Sequence, residues 1–93
     1  MSVTLAGITF NRVDYDRDVD VLYLHVGDPA DVTTFDESPE GHHLRFDAAG
    51  RLVGVTLLHP RATLERDDRI TITIPEHVEE LPAEALNSAL AAA

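Results

Sequence analysis

The segment from Val19 to Val26 constrains the fold more than any other part of the sequence. It is short, rich in β-branched and aromatic residues, and bounded by an Asp-rich turn and by Gly27-Asp28-Pro29, as is typical of a strand. Side chains alternate between the two faces of a strand. Apolar residues occur at both sets of alternating positions, which are Val19, Val21, Tyr23 and His25 on one face and Asp20, Leu22, Leu24 and Val26 on the other. We therefore predict an interior strand that is at least partly covered on both faces.

Other strands are predicted where apolar and polar residues alternate between turn signals. Gly7–Asp14 is predicted to form an antiparallel hairpin with Val19–Val26 through the turn Asp14–Asp18. The remaining predicted strands are Val32–Phe35, His42–Asp47, Arg51–His59 and Ile70–Ile74. Within Arg51–His59, Gly54 indicates close packing or a bulge, because a residue without a side chain weakens an ordinary strand.

The residue pattern changes towards the C-terminus. Pro82 suits the first position of a helix, Glu84 suits the first turn, and an apolar stripe at helical spacing follows at Ala85, Leu86, Ala89 and Leu90. We predict a helix over Pro82–Ala91 that packs on the sheet or on a second subunit. Ala62–Asp68 is compatible with a helical turn or a loop, and Met1–Leu5 is expected to be a loose terminus. The predicted fold is α+β: one small domain over residues 1–93, with an antiparallel β-meander of about five strands and a short C-terminal helix.

Two short motifs in the sequence resemble a known family. Tyr15-Asp16, Asp20-Val21-Leu22-Tyr23-Leu24 and then Asp47-Ala48-Ala49-Gly50-Arg51-Leu52-Val53-Gly54-Val55 are similar, in this order, to the signatures of the DUF2283 family of small proteins of unknown function. Val19 and His59-Pro60 depart from the pattern. The resemblance implies a small β-rich domain and implies no reaction.

Composition excludes several classes of function. The chain has no cysteine and no lysine, so disulfides, thiolate catalysis and Cys-based metal sites are absent. Its net charge of −10 disfavours binding to nucleic acid and would attract a basic protein. The start of the chain lacks the pattern of a signal peptide, and no apolar run has the length of a membrane span. We therefore expect a cytoplasmic protein with no membrane partner.

The acidic turn is the first candidate site. Asp14, Asp16, Asp18 and Asp20 alternate as in a calcium loop, but the positions that require Gly and Glu hold Val19 and His25. A solvated hairpin turn is the preferred interpretation. Asp20 shares a strand face with Leu22 and Leu24, so its carboxylate needs donors. We expect it to clamp the hairpin through amides of the Asp14–Asp18 turn or through an arginine. A buried general base with a raised pKa is the alternative.

The histidines are the second candidate site. His42 and His43 are neighbours on a predicted strand, so they point to opposite faces and cannot chelate one metal together. A metal or ligand site would need them to converge with Asp20, His25 or His59, and no spacing in the sequence requires this. Ser2, Ser38 and Ser88 lie in no nucleophile motif, and the glycines form no phosphate loop. No catalytic residue, metal ligand or cofactor site is predicted.

The function that remains is association. We predict a self-associating or partner-binding β module, most simply a homodimer, because a small sheet has an exposed edge available for pairing. One alternative is a protein that binds a small ligand or a divalent metal through His42, His43 and Asp20. Another is an antitoxin-like protein that neutralises a basic partner through its acidic surface.

Overall fold

A five-stranded antiparallel sheet forms the centre of the fold. The computed structural model describes residues 1–75 and 77–91, so positions 76, 92 and 93 of the predicted domain lie outside the described residues. The central strands are β3 (Arg12–Asp16), β4 (Val21–His25), β5 (Val32–Glu37), β6 (His43–Asp47) and β7 (Leu52–Leu58), in the spatial order β3-β4-β7-β6-β5. A 3-10 turn, Pro29–Asp31, leads into β5. The α+β class and the antiparallel arrangement are confirmed.

Strand order in this sheet follows from one hairpin and one three-stranded meander. β3 and β4 form the predicted hairpin, and β5, β6 and β7 form a meander that returns β7 to the free side of β4. β4 is therefore an interior strand, as predicted. It is shorter than Val19–Val26 because the turn occupies positions 17–20 and Asp20 has a left-handed backbone with φ 55°.

The remaining elements cover one face of the central sheet. They are β1 (Val3–Leu5), β2 (Ile8–Phe10), β8 (Arg69–Ile74) and β9 (His77–Pro82), which form two hairpins, and the helices α1 (Pro60–Asp67) and α2 (Ala83–Ala91). Leu22, Leu24, Leu44, Val55 and Leu57 of the central sheet are buried on this inner face. The covering elements contribute the other half of the core, notably Val3, Leu5, Phe10, Ile70, Ile72, Leu86 and Leu90. Neither helix in the described part of the chain is long and apolar enough to cross a membrane.

The expectation of a loose N-terminus was wrong. Val3–Leu5 pairs with Ile8–Phe10, and Val3 and Leu5 are only 2% and 1% exposed. Ala6 and Gly7 both have positive φ, which is the backbone of a tight two-residue hairpin turn. A three-residue strand shows too few alternations to be recognised in the sequence. The predicted strand Gly7–Asp14 is likewise two strands, β2 and β3, separated at Asn11.

The C-terminal third also differs in part from prediction. Ala62–Asp68, left open between helix and loop, lies mostly in α1, which begins with Pro60. Ile70–Ile74 is confirmed as a strand with its isoleucines buried, but it pairs with β9 outside the central sheet. Strand β9, which contains Val78 and Leu81, is not among the strands predicted from the sequence. The predicted helix is confirmed as α2, which starts at Ala83 and packs against β1, β3 and β9.

Candidate functional site

The outer face of the central sheet is the most distinctive surface of the molecule. We use this name for the face opposite the core, and cross-strand register places on it Arg12, Asp14, Asp16, Val21, Tyr23, His25, Phe35, Glu37, His43, Arg45, Gly54, Thr56 and Leu58. Tyr23 and Phe35 are 46% and 73% exposed. A shallow hollow of about 700 Å³ lies here, and its lining comes entirely from β4, β5, β6 and β7. The outer face of β4 is thus only partly covered, with Val21 and His25 half-buried and Tyr23 exposed, in agreement with the prediction of at least partial cover on both faces. Exposed aromatic surface of this kind marks interaction sites.

Arg45 lies at the centre of the outer face. Its guanidinium crosses over Gly54 of the neighbouring strand and donates to Thr56 Oγ1 at 2.7 Å and to the Leu24 carbonyl at 3.1 Å. A β-carbon at position 54 would overlap the guanidinium. Close packing, one of the two interpretations of Gly54, is therefore confirmed. Burial lowers the pKa of Arg45.

Replacing Gly54 with alanine is expected to displace the Arg45 side chain and to cost about 1–2 kcal/mol of unfolding free energy. The added methyl group occupies the position of the guanidinium, so the bonds to Thr56 and Leu24 are lost. Because the displaced group is the end of a flexible side chain, the fold should persist. Urea unfolding of Gly54→Ala, Arg45→Ala and the double variant measures the coupling between the two positions. A double variant that is destabilised by the sum of the two single effects would contradict this explanation.

His25 is the neighbour of Gly54 on the same face. Its Nε2 atom is buried and has no hydrogen-bond partner among the described residues. Burial lowers the pKa of His25, and the charges of Arg45 and Arg12 lower it further, while a hydrogen bond to the backbone of Asp28 opposes them. Burial and the two nearby arginines therefore favour the neutral form of the His25 imidazole.

Asp20 holds the β3–β4 turn against helix α1. Its carboxylate accepts hydrogen bonds from the Tyr15 hydroxyl at 2.7 Å, the Arg61 amide at 3.0 Å and the Ala62 amide at 3.1 Å. The predicted clamp exists, but the donors are Tyr15 and the first turn of α1 instead of the turn amides. Burial alone would raise the pKa of Asp20, but these bonds outweigh it and the pKa is lowered. The alternative of a general base with a raised pKa was therefore wrong.

The side chains of the adjacent histidines His42 and His43 lie on opposite faces of the sheet. His42 is 5% exposed and its Nδ1 accepts the Leu58 amide at 3.2 Å. His43 is exposed on the outer face, where its Nε2 lies 3.9 Å from Glu37. They point to opposite sides of β6, as the strand pattern predicts. His59 precedes α1 with a left-handed backbone and makes no side-chain cap.

The structure does not bring the candidate ligands together. Asp20 is engaged by Tyr15 and α1, His42 by Leu58, and His43 faces outwards. Within residues 1–75 and 77–91, no three His, Asp or Glu side chains are grouped closely enough to hold a metal ion. The convergence required by the metal alternative is absent from this part of the chain.

The segment that forms the central sheet identifies the family of the chain. Residues 12–60, more than half of the 93, match the model of a family described as Protein of unknown function (DUF2283). The chain belongs to the DUF2283 family. Neither a curated protein nor a solved structure matches the chain. The DUF2283 segment runs from the first residue of β3 through β7 to the first residue of α1, so it contains every strand of the central sheet.

Residues that form the outer face were not recognised as a site from the sequence. Arg45 and Phe35 belong to the predicted strands His42–Asp47 and Val32–Phe35, and neither pattern indicates a functional role for them. The available signal was Gly54 in the middle of an apolar strand. It indicates that another group approaches the backbone there, but it does not say which one.

Proposed function

We propose that this DUF2283 protein is a self-associating β module in which the outer face packs against the outer face of a second copy. The observation that carries this proposal is that no described helix or hairpin covers this face, although it exposes Tyr23 and Phe35 and carries the half-buried Val21 and Leu58. Packing two such faces would form a sandwich of two sheets about 10 Å apart.

The charges on the outer face support a second copy over a basic partner. The chain as a whole has net charge −10, which would attract a basic protein. The outer face itself is mixed, with Asp14, Asp16 and Glu37 on the edge strands and Arg45 towards the middle. A surface with both signs can complement itself in a two-fold dimer, where each contact occurs twice. A uniformly basic surface would instead meet Arg45 unfavourably.

The size of the face predicts the strength of the dimer. Strands of this length in a five-stranded sheet give a face of roughly 20 by 20 Å, so two faces would bury on the order of 1,000 Å² in total. This is near the lower limit for a specific interface. We therefore expect a reversible dimer with a dissociation constant in the micromolar range.

Replacing Phe35 with serine is expected to weaken the dimer at least tenfold, because its exposed ring would be buried between the two copies. Sedimentation equilibrium over a range of concentrations measures the dissociation constants of the wild type and the variant. Val78→Ser is the matched control, since Val78 is 58% exposed on β9, outside the outer face. It should leave the dissociation constant unchanged. A wild type that stays monomeric at several hundred micromolar, or equal effects of the two variants, would overturn the proposal.

A further inference from the structure

Arg45 has more hydrogen-bonding capacity than the chain uses. A guanidinium carries five N–H donors in a planar fork that matches a carboxylate. One N–H of Arg45 goes to Thr56 and one to the Leu24 carbonyl, and both acceptors are neutral. None of the ion pairs among the described residues includes Arg45.

The absence of a counter-charge at Arg45 is unusual for its environment. The side chain is partly buried, and burial lowers its pKa. A partly buried charge is normally paired with an opposite one, because desolvation otherwise destabilises it. The chain has seventeen acidic residues, yet those on the outer face lie on its two edge strands. Acidic residues are therefore plentiful, but within residues 1–75 and 77–91 none forms an ion pair with Arg45.

The surroundings of Arg45 favour a carboxylate that is presented by an adjoining protein surface. Phe35 is its cross-strand neighbour, and Tyr23 lines the same hollow. The hollow is open and shallow, so it fits a side chain presented by a protein surface better than a small molecule, which is normally enclosed.

We propose that Arg45 is the binding site for an acidic side chain of the second copy, supplied by Asp14, Asp16 or Glu37. This inference rests on the proposed dimer and names its central polar contact. The three candidates are the acidic residues that register places on the outer face, and all are exposed. In a two-fold dimer the pair forms twice. The carboxylate of the acidic residue meets the fork of Arg45 in the hollow that Tyr23 and Phe35 line.

Charge reversal tests the pair on the full chain. Arg45→Glu should weaken the dimer at least 100-fold in sedimentation equilibrium, since it sets two carboxylates against each other in each of two contacts. Combining Arg45→Glu with Asp14→Arg, Asp16→Arg or Glu37→Arg should restore the dissociation constant to within tenfold of wild type for one of the three. Arg69→Glu is the control for net charge, because Arg69 pairs with Glu80 on the other side of the fold and should leave the dimer intact.

Single reversals of the acidic residues keep the test valid if Arg45→Glu does not fold. Asp14→Arg, Asp16→Arg and Glu37→Arg change exposed edge positions, and one of them should weaken the dimer at least tenfold. Thermal unfolding of each variant reports whether it is folded. A dimer that tolerates every reversal, or a loss that no combination restores, overturns the inference while the proposed self-association stands. A monomeric wild type overturns both.

Discussion

Replacing Asp20 with alanine is expected to lower the free energy of unfolding by about 3 kcal/mol. The carboxylate accepts three hydrogen bonds, two of them from the first-turn amides of α1 at Arg61 and Ala62. His59, the residue at the start of that helix, makes no side-chain cap. Asp20 therefore caps a helix from 41 positions earlier in the chain. Alanine would leave these amides and the Tyr15 hydroxyl without their acceptor.

Backbone geometry adds to this effect. Asp20 has φ 55°, in the left-handed region that Asp and Asn adopt more readily than alanine. Asp20→Asn keeps this preference and one acceptor oxygen, so it should cost about 1 kcal/mol. Asp18→Ala removes the same charge from the same turn and is the matched control, expected within about 0.5 kcal/mol of wild type. Equal stability losses for Asp18→Ala and Asp20→Ala in urea unfolding would show that the carboxylate acts through charge alone.

The pH dependence of this contribution has a definite sign. Burial raises the pKa of Asp20, but the hydrogen bonds from Tyr15, Ala62 and Arg61 lower it below the ordinary value of 3.8. The unfolded chain then binds the proton more tightly than the folded one. The stabilisation is fully present above the pKa of Asp20 in the unfolded state, and it is lost as the pH falls through the pKa of Asp20 in the folded state.

The central sheet could be predicted because its information is local. The alternation in β4, the turn at Ala48-Ala49-Gly50 and the apolar run of β7 each lie within a few residues. Gly50 has φ 80°, and Asp47 accepts the Ala49 and Arg51 amides at 3.0 and 2.9 Å, so this turn is built from its own neighbours. Short-range rules of this kind are sufficient to place strands.

The candidate site could not be predicted because it depends on distant residues. Arg45 makes its two hydrogen bonds only when β7 lies between β6 and β4, since one acceptor is on β7 and the other is on β4, the strand beyond it. The exposure of Phe35 depends on β5 lying at the sheet edge. This position results because β7, the last strand of the meander, pairs with β4 and leaves β5 on the far side. The sequence left strand order open, so neither property could be read from it.

Polar side chains of the family segment also bind residues beyond that segment. Asp20 binds the first turn of α1, Glu40 binds the Thr73 amide and hydroxyl at 2.9 and 2.6 Å, and His42 reaches β8 through the Thr71 backbone. Asp20, Glu40 and His42 lie within residues 12–60, and the partners just named in α1 and β8 lie beyond that range. Glu40 and His42 thereby occupy the free edge of β8, which would otherwise be exposed for pairing. Association through the edge of β8 is therefore disfavoured, which is consistent with the proposed association through the outer face.

Replacing His42 with alanine is expected to cost about 3 kcal/mol of unfolding free energy, measured by urea unfolding at neutral pH. His42 is 5% exposed, and its Nδ1 accepts the Leu58 amide at 3.2 Å. The ring proton is therefore on Nε2, which binds the backbone of Thr71. Alanine would leave both backbone groups without this partner and would create a cavity between β7 and β8. His43→Ala, one position along and exposed, is the matched control and should change little.

The same imidazole makes the fold sensitive to mild acid. Burial lowers the pKa of His42 below its ordinary value of 6.5, and His43 lowers it further, while Glu40 and the Thr71 backbone oppose them. As the pH falls, this histidine is protonated in the unfolded state at a higher pH than in the folded state. The free energy of unfolding is therefore constant above the pKa of the unfolded state and falls by at most about 1.4 kcal/mol per pH unit below it for this one group. His25, whose pKa is also lowered, contributes in the same pH range, whereas the contribution of Glu40, whose pKa is lowered from 4.5 to about 2, is lost only below its ordinary value of 4.5. His42→Asn keeps an acceptor for the Leu58 amide but does not titrate. Its stability should fall less steeply between pH 7 and 5 than that of the wild type, and equal slopes would place the titrating group elsewhere.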